Sequence, residues 1–199
     1  IVQHKACQQR DQYYARVDER WQLACAALRS VLDGDPEHEE GFRFYMLLLV
    51  RGRLWGDLWT CLDELANSKS LMTAPMVADA IEALSRVPDA LRPFVDRAGI
   101  GMRLYEKLAK EQRSGPKAQL ARAYLLLMLR EWDEADELLR GLGDERTVRL
   151  ARAEVAYRRQ DWAGARDVIE AMIRETGPTL RLQVLLGLSQ MRMGESGKA

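Results

Sequence analysis

Two histidines, three cysteines and many carboxylates are the side chains of this 199-residue sequence that could do chemistry. A nucleophilic or acid–base site needs such groups gathered at workable spacing. His38 stands in "GDPEHEEG" beside Glu37, Glu39 and Glu40, a set that could hold a metal ion. Consecutive acids on a helix cannot all turn to one ion, however, and acids in a first helical turn are expected from the helix dipole. His4 lies far from that cluster in sequence. Cys7, Cys25 and Cys61 lack metal-ligand spacing, and an odd number without a framework reads as reduced, buried, small apolar residues. "GIG" at 99–101 has neither the preceding strand nor the following lysine–serine pair of a phosphate loop. The remaining acids alternate with arginines, as in "DERTVRLARAE", the pattern of solvated helix faces with local ion pairs. The expectation is no catalytic residue, no metal ligand, no cofactor and no enzyme activity.

Composition narrows the partners. Charged residues make up 30% and hydrophobic ones 47%, and the formal net charge is zero. A neutral chain does not bind nucleic acid by bulk attraction to phosphates. The longest apolar runs, "FYMLLLV" (44–50) and "AYLLLML" (123–129), fall short of the roughly 20 residues of a membrane span. No membrane insertion is expected within this stretch. The sequence starts at Ile1 and shows no signal peptide, so it reads as a piece of something longer. Periplasmic and cytoplasmic locations both stay open, and arginine-over-lysine usage fits a GC-rich bacterial genome.

The elements behind these residues are helices. Apolar residues recur at steps of three and four, and helix formers dominate. Breakers punctuate them at Gly34 and Pro36, Pro75, Pro88, Gly99 and Gly101, Gly115 and Pro116, Gly141 and Gly143, Gly177 and Pro178, and Gly194. Intervals of 10 to 17 residues predict eleven or twelve short helices, one starting at Pro116. Within them Trp132, Ala135, Leu139 and Leu142 step by three, four and three. That spacing keeps one helix face apolar and puts a small residue where another backbone comes close. The same steps recur at Trp162, Ala165, Ile169 and Met172, at Trp21, Ala24, Leu28 and Val31, and at Trp55, Leu58, Leu62 and Leu65. A weaker copy runs Val87, Ala90, Phe94, Arg97. Four matches opening on tryptophan, in a chain with five tryptophans, describe an internal repeat in which each ring fills the gap between neighbouring helices.

Those residues, with "ARAEVAYRRQDWAGARDVIEAM" as the fullest copy, resemble the tetratricopeptide repeat family. The resemblance spans essentially the whole chain, with degenerate individual motifs. It implies an all-α chain: an α-solenoid of antiparallel helix pairs in a right-handed superhelix. About five repeats are expected over 5–38, 39–70, 71–100, 116–145 and 146–179, with a partial sixth at 180–199. All lie in one array covering 1–199. The 45-residue gap between Val87 and Trp132 predicts an insert at 101–115, with an extra helix near 101–113.

The resemblance also implies a concave face lined by the first helix of each pair, where a protein or peptide partner binds. The family's groove positions fall on Tyr13 and Arg16, then Arg43, Leu47 and Arg51. Further along they fall on Lys117, Tyr124 and Met128, on Glu154, Tyr157 and Arg158, and on Arg181, Leu188 and Arg192. Arginine pairs bidentately with carboxylates and tyrosine offers a rigid ring with a polar tip, so acidic groups on the partner are expected. The expected function is a non-enzymatic scaffold in a multiprotein assembly, with bacterial envelope export or polysaccharide secretion as settings. An interaction arm of a larger enzyme such as a glycosyltransferase, or of a peptide-sensing regulator, is the alternative. Self-association into a homo-oligomer is left open.

Overall fold

The computed structural model describes residues 19–69, 71–88 and 96–194, and among these every regular element is helical. Residues 19–34 form α1. It is followed by α2 (Glu39–Arg51), α3 (Trp55–Asn67), α4 (Ala74–Ser85) and α5 (Arg97–Glu106). After a 3-10 turn at Lys110–Ser114 come α6 (Pro116–Leu129), α7 (Trp132–Arg140), α8 (Arg146–Arg158), α9 (Trp162–Thr176) and α10 (Leu180–Arg192). The chain divides into two compact units, residues 1–109 and 110–199.

In the first unit α2 packs on α3 and α4, while α5 packs on α3 and α4. The α2 face is Phe42, Tyr45, Met46 and Leu49, at the three-and-four spacing that lines one side of a helix. Leu58 and Leu62 of α3 and Val77, Ala80, Ile81 and Leu84 of α4 complete this core. In the second unit each helix packs chiefly on the next, from α6 through α10, and α6 also reaches α8. Ala135 and Leu139 of α7 and Ala165 and Ile169 of α9 are fully buried. The small residue thus sits at the close approach in both helices. Trp132, Trp162, Trp55 and Trp21 are half-buried, so the aromatic ring flanks each core instead of filling it.

Three tight turns share one backbone. The residues two before Trp55, Trp132 and Trp162 have positive φ: Arg53 at 55°, Arg130 at 69° and Gln160 at 66°. In each, the next N–H donates five residues back: Leu54 to Leu49, Glu131 to Leu126 and Asp161 to Ala156, all at 2.9 Å. The left-handed residue itself donates three back, Arg53 to Val50, Arg130 to Leu127 and Gln160 to Tyr157. This pair of bonds satisfies the last carbonyls of the first helix and reverses the chain into the second. Gly194, at the place expected for a turn glycine after α10, also has positive φ, 77°. A side chain in this conformation costs about 1 kcal/mol that glycine avoids. Arg130→Gly and Gln160→Gly are each expected to raise stability by about 0.5–1 kcal/mol in urea unfolding; a loss would show that these turns relax.

The stretch between α4 and α5 is described only at its two ends. Of the copy placed at Val87, Ala90, Phe94 and Arg97, Ala90 and Phe94 lie outside the described residues. α4 has ended by Ser85, and α5, which packs on α4 as a second helix would, begins at Arg97. Ile100 and Leu104 then fall three and seven residues on, as Ala165 and Ile169 follow Trp162, and both are buried. The extra helix expected near 101–113 overlaps α5 and the 3-10 turn at Lys110–Ser114, and α5 packs on both α3 and α4. Both α5 and α9 start from an aspartate with glycine three residues later, in "DRAG" and "DWAG". Asp96 and Asp161 each accept from that glycine's N–H at 2.9 Å. A Cβ on Gly99 or Gly164 would sit 2.0 or 2.2 Å from the capping carboxylate, so only glycine fits beneath the cap as it stands.

Candidate functional site

The candidate surface is built from the first helices, and the two units present it separately. On α2, Arg43 and Arg51 are exposed and Leu47 is half-buried. Phe44, next to Arg43, is 51% exposed, a ring that the sequence patterning did not single out within "FRFYM". Tyr13 and Arg16 lie outside the described residues.

In the second unit the expected positions separate into three kinds. Tyr124 is a core residue: it is only 1% exposed, among Ala121, Ala123 and Leu125 of the same buried α6 face. A ring closed off in this way presents nothing to a partner, which corrects its assignment as a groove residue. Glu154 and Arg181 are an ion pair linking α8 to α10, each about a quarter exposed. Lys117 stands 3.8 Å from Glu145. The cations at Arg181 and Lys117 thus already face carboxylates of the chain itself, which weakens their value for an acidic partner. Tyr157 lies edge-on to Trp162, ring centroids 4.9 Å apart at 65°. That contact anchors a half-buried tyrosine on α8 against the start of α9. Arg158 and Arg192 are exposed, and Met128 and Leu188 half-buried.

Ion pairs between neighbouring helices position this surface. Arg152 donates to the carbonyls of Leu139 and Arg140 at the end of α7 and pairs with Asp144 at 3.3 Å. A cation there satisfies orphan carbonyls and meets the negative end of the helix dipole. Asp136 accepts from Arg140 at 2.5 Å and Arg159 at 2.6 Å. It is the one acid of "WDEADE" that is half-buried, while Asp133, Glu134 and Glu137 are exposed. Arg149 pairs with Glu175, and their hydrogen bond holds the Glu175 carboxyl below its ordinary value.

The remaining groups with chemical potential have structural roles. His38 caps α2, its Nδ1 accepting from Gly41 N at 2.9 Å. Among the described residues no three His, Cys, Asp or Glu side chains gather as a metal site would require. No described helix is long and apolar enough to cross a membrane. Cys25 and Cys61 are free thiols, half-buried instead of fully enclosed. Burial pushes the Cys61 thiol from its ordinary 9.0 up to about 11, against the pull of Arg29. Burial, helped by Asp57, likewise raises Cys25. Raised thiols are weak nucleophiles at neutral pH. The folded state holds the Cys61 proton more tightly than the unfolded one, so this stabilisation is whole below pH 9 and disappears as pH rises toward 11. The stability of the protein should fall by about 1–2 kcal/mol more than that of Cys61→Ala over that window. Parallel urea-midpoint curves for the two proteins would contradict it.

Comparison with known proteins adds no relative: no protein-family model matches the chain, and no curated protein matches it. Among the described residues every regular element is helical, and in the second unit each helix packs chiefly on the next.

Proposed function

We propose that this chain is a non-enzymatic protein-interaction scaffold of the tetratricopeptide kind, binding a partner segment along the first helices of its helix pairs. The observation that carries this reading is the turn before Trp55, Trp132 and Trp162. One left-handed residue and one pair of hydrogen bonds recur there, joining a first helix to a second. Repetition of a helix–turn–helix unit, with the helices from α6 to α10 each packed on the next, supports stacking into a solenoid with a binding face of first helices. Tyr157 and Arg158 on α8, with Leu188 and Arg192 on α10, are the side chains proposed to meet the partner in the second unit. Arg43, Leu47 and Arg51 on α2 are those proposed in the first. With Arg181 committed to Glu154, the recognition chemistry is an apolar contact with one or two carboxylates beside it.

A photo-crosslinking amino acid placed in the source cell at Arg158, and separately at the second-helix residue Arg174, tests the reading. An adduct from the first position and none from the second supports it. The reverse outcome excludes the first helices as the binding face.

A further inference from the structure

We propose that His38 is an acid-sensitive catch on the first turn of α2: as a neutral imidazole it caps the helix, and on taking a proton it releases it. Five described helices open on a side chain that accepts from the backbone N–H three residues on. These are His38 for α2, Thr73 for α4, Asp96 for α5, Asp161 for α9 and Thr179 for α10. The aspartates are the nearest parallel to His38. "HEEG" repeats the arrangement of "DRAG" and "DWAG", a capping residue with glycine three on. His38 Nδ1 accepts from Gly41 N at 2.9 Å, the distance found for Asp96 with Gly99 and for Asp161 with Gly164. A Cβ on Gly41 would stand 3.1 Å from that Nδ1, so the ring lies over its glycine as the carboxylates lie over theirs. An imidazole thus holds a place that the chain elsewhere gives to a carboxylate.

That exchange changes the chemistry. Nδ1 accepts only through its lone pair, so the bond requires a neutral ring with its hydrogen on Nε2. A second proton puts an N–H where the lone pair was, facing the N–H of Gly41 and the positive end of the helix dipole. Histidine is the side chain that ordinarily changes charge between about pH 5 and 8, whereas a threonine hydroxyl or a carboxylate still accepts there. The cap of α2 is the one among these that mild acid can undo.

The surroundings do not bar the proton. Asp35 and Glu37 precede the ring, Glu39 and Glu40 follow it, and α1, whose Val31 also meets the Gly41 position, carries Asp33 in its last turn. α3 and α4, which pack on α2, bring Asp57, Cys61, Asp63, Glu64, Asp79 and Glu82 and no base. The nearest cations along the chain are Arg29, paired with Glu64 at 3.3 Å, and Arg43. The acids beside His38 in sequence attract a positive ring in the unfolded chain as well, so they largely cancel from the folding balance. The cap does not cancel. An unfolded chain takes the proton without losing a bond, so the stabilisation from this cap is whole at the alkaline end of the range and lost as pH falls. The released turn leads directly into Arg43 and the exposed Phe44, and the catch does not depend on what α2 binds.

Urea unfolding of the full chain at about pH 8 and about pH 5 tests the catch, in the wild type, His38→Asn and His38→Ala. Asparagine keeps an acceptor that does not titrate. The carboxylates and His4 are common to all three proteins, so their effects drop out of the comparison. At the higher pH the wild type should lie close to His38→Asn and be more stable than His38→Ala. At the lower pH its unfolding constant should have risen about fivefold relative to His38→Asn and met that of His38→Ala. Long-range proton–nitrogen spectra at the higher pH should place the ring hydrogen on Nε2. Parallel pH dependence of the wild type and His38→Asn, or a ring hydrogen on Nδ1, overturns the proposal.

Discussion

Ile169→Ala should lower the stability of the second unit by about 2–5 kcal/mol, a larger loss than Trp162→Ala seven residues earlier on the same helix. Ile169 is fully buried and sits in one cluster with Ala153 of α8, Met172 of α9 and Leu182 of α10. Removing its side chain opens a cavity where three helices meet, and a packed interior recovers little of that volume. Trp162 is half-buried, with one edge against Tyr157, so truncation gives part of its surface back to water that already reached it. A loss of about 1–3 kcal/mol is expected there. Urea unfolding followed by far-UV circular dichroism orders the two variants. If Trp162→Ala cost more, the aromatic positions would be the core and the burial pattern would be wrong.

Arg97→Ala should destabilise the first unit by about 3 kcal/mol, and Arg97→Met by distinctly less. Arg97 opens α5, is only 6% exposed, and donates to the carbonyl of Val87 at the end of the α4 segment. It occupies the place that Trp162 has in α9, three and seven residues before Ile100 and Leu104. Its aliphatic stem fills that place while its guanidinium ties the two ends of the α4–α5 connection together. Alanine removes both the packing and the donor; methionine removes only the donor. Equal losses for the two variants would assign the whole effect to the hydrogen bond.

That same residue shows where the sequence became hard to read. Helix content, the start of α6 at Pro116 and the buried Ala135, Leu139, Ala165 and Ile169 follow from periodicity and breakers alone. An arginine in an aromatic's place hides the start of α5, because a charged side chain counts as polar whatever its stem does. The likeness of "DRAG" to "DWAG" was the available signal, since a capping aspartate with glycine three on marks the same helix start. The candidate surface was less legible. Tyr124 and Tyr157 are both tyrosines on first helices, yet one is enclosed and one half-open, which residue type does not encode. Arg181 and Glu154 lie 27 residues apart, and their pairing follows from how α10 packs beside α8. Asp136 looks like its neighbours in "WDEADE" until Arg159 approaches it from the end of α8.

The central claim is that first-helix side chains bind the partner. Its most direct test is the affinity of Arg158→Glu and Arg192→Glu proteins for the partner captured by crosslinking. The two substitutions are expected to weaken binding by about tenfold each, with helicity unchanged. Unchanged affinity in both would contradict the account and move the binding surface elsewhere.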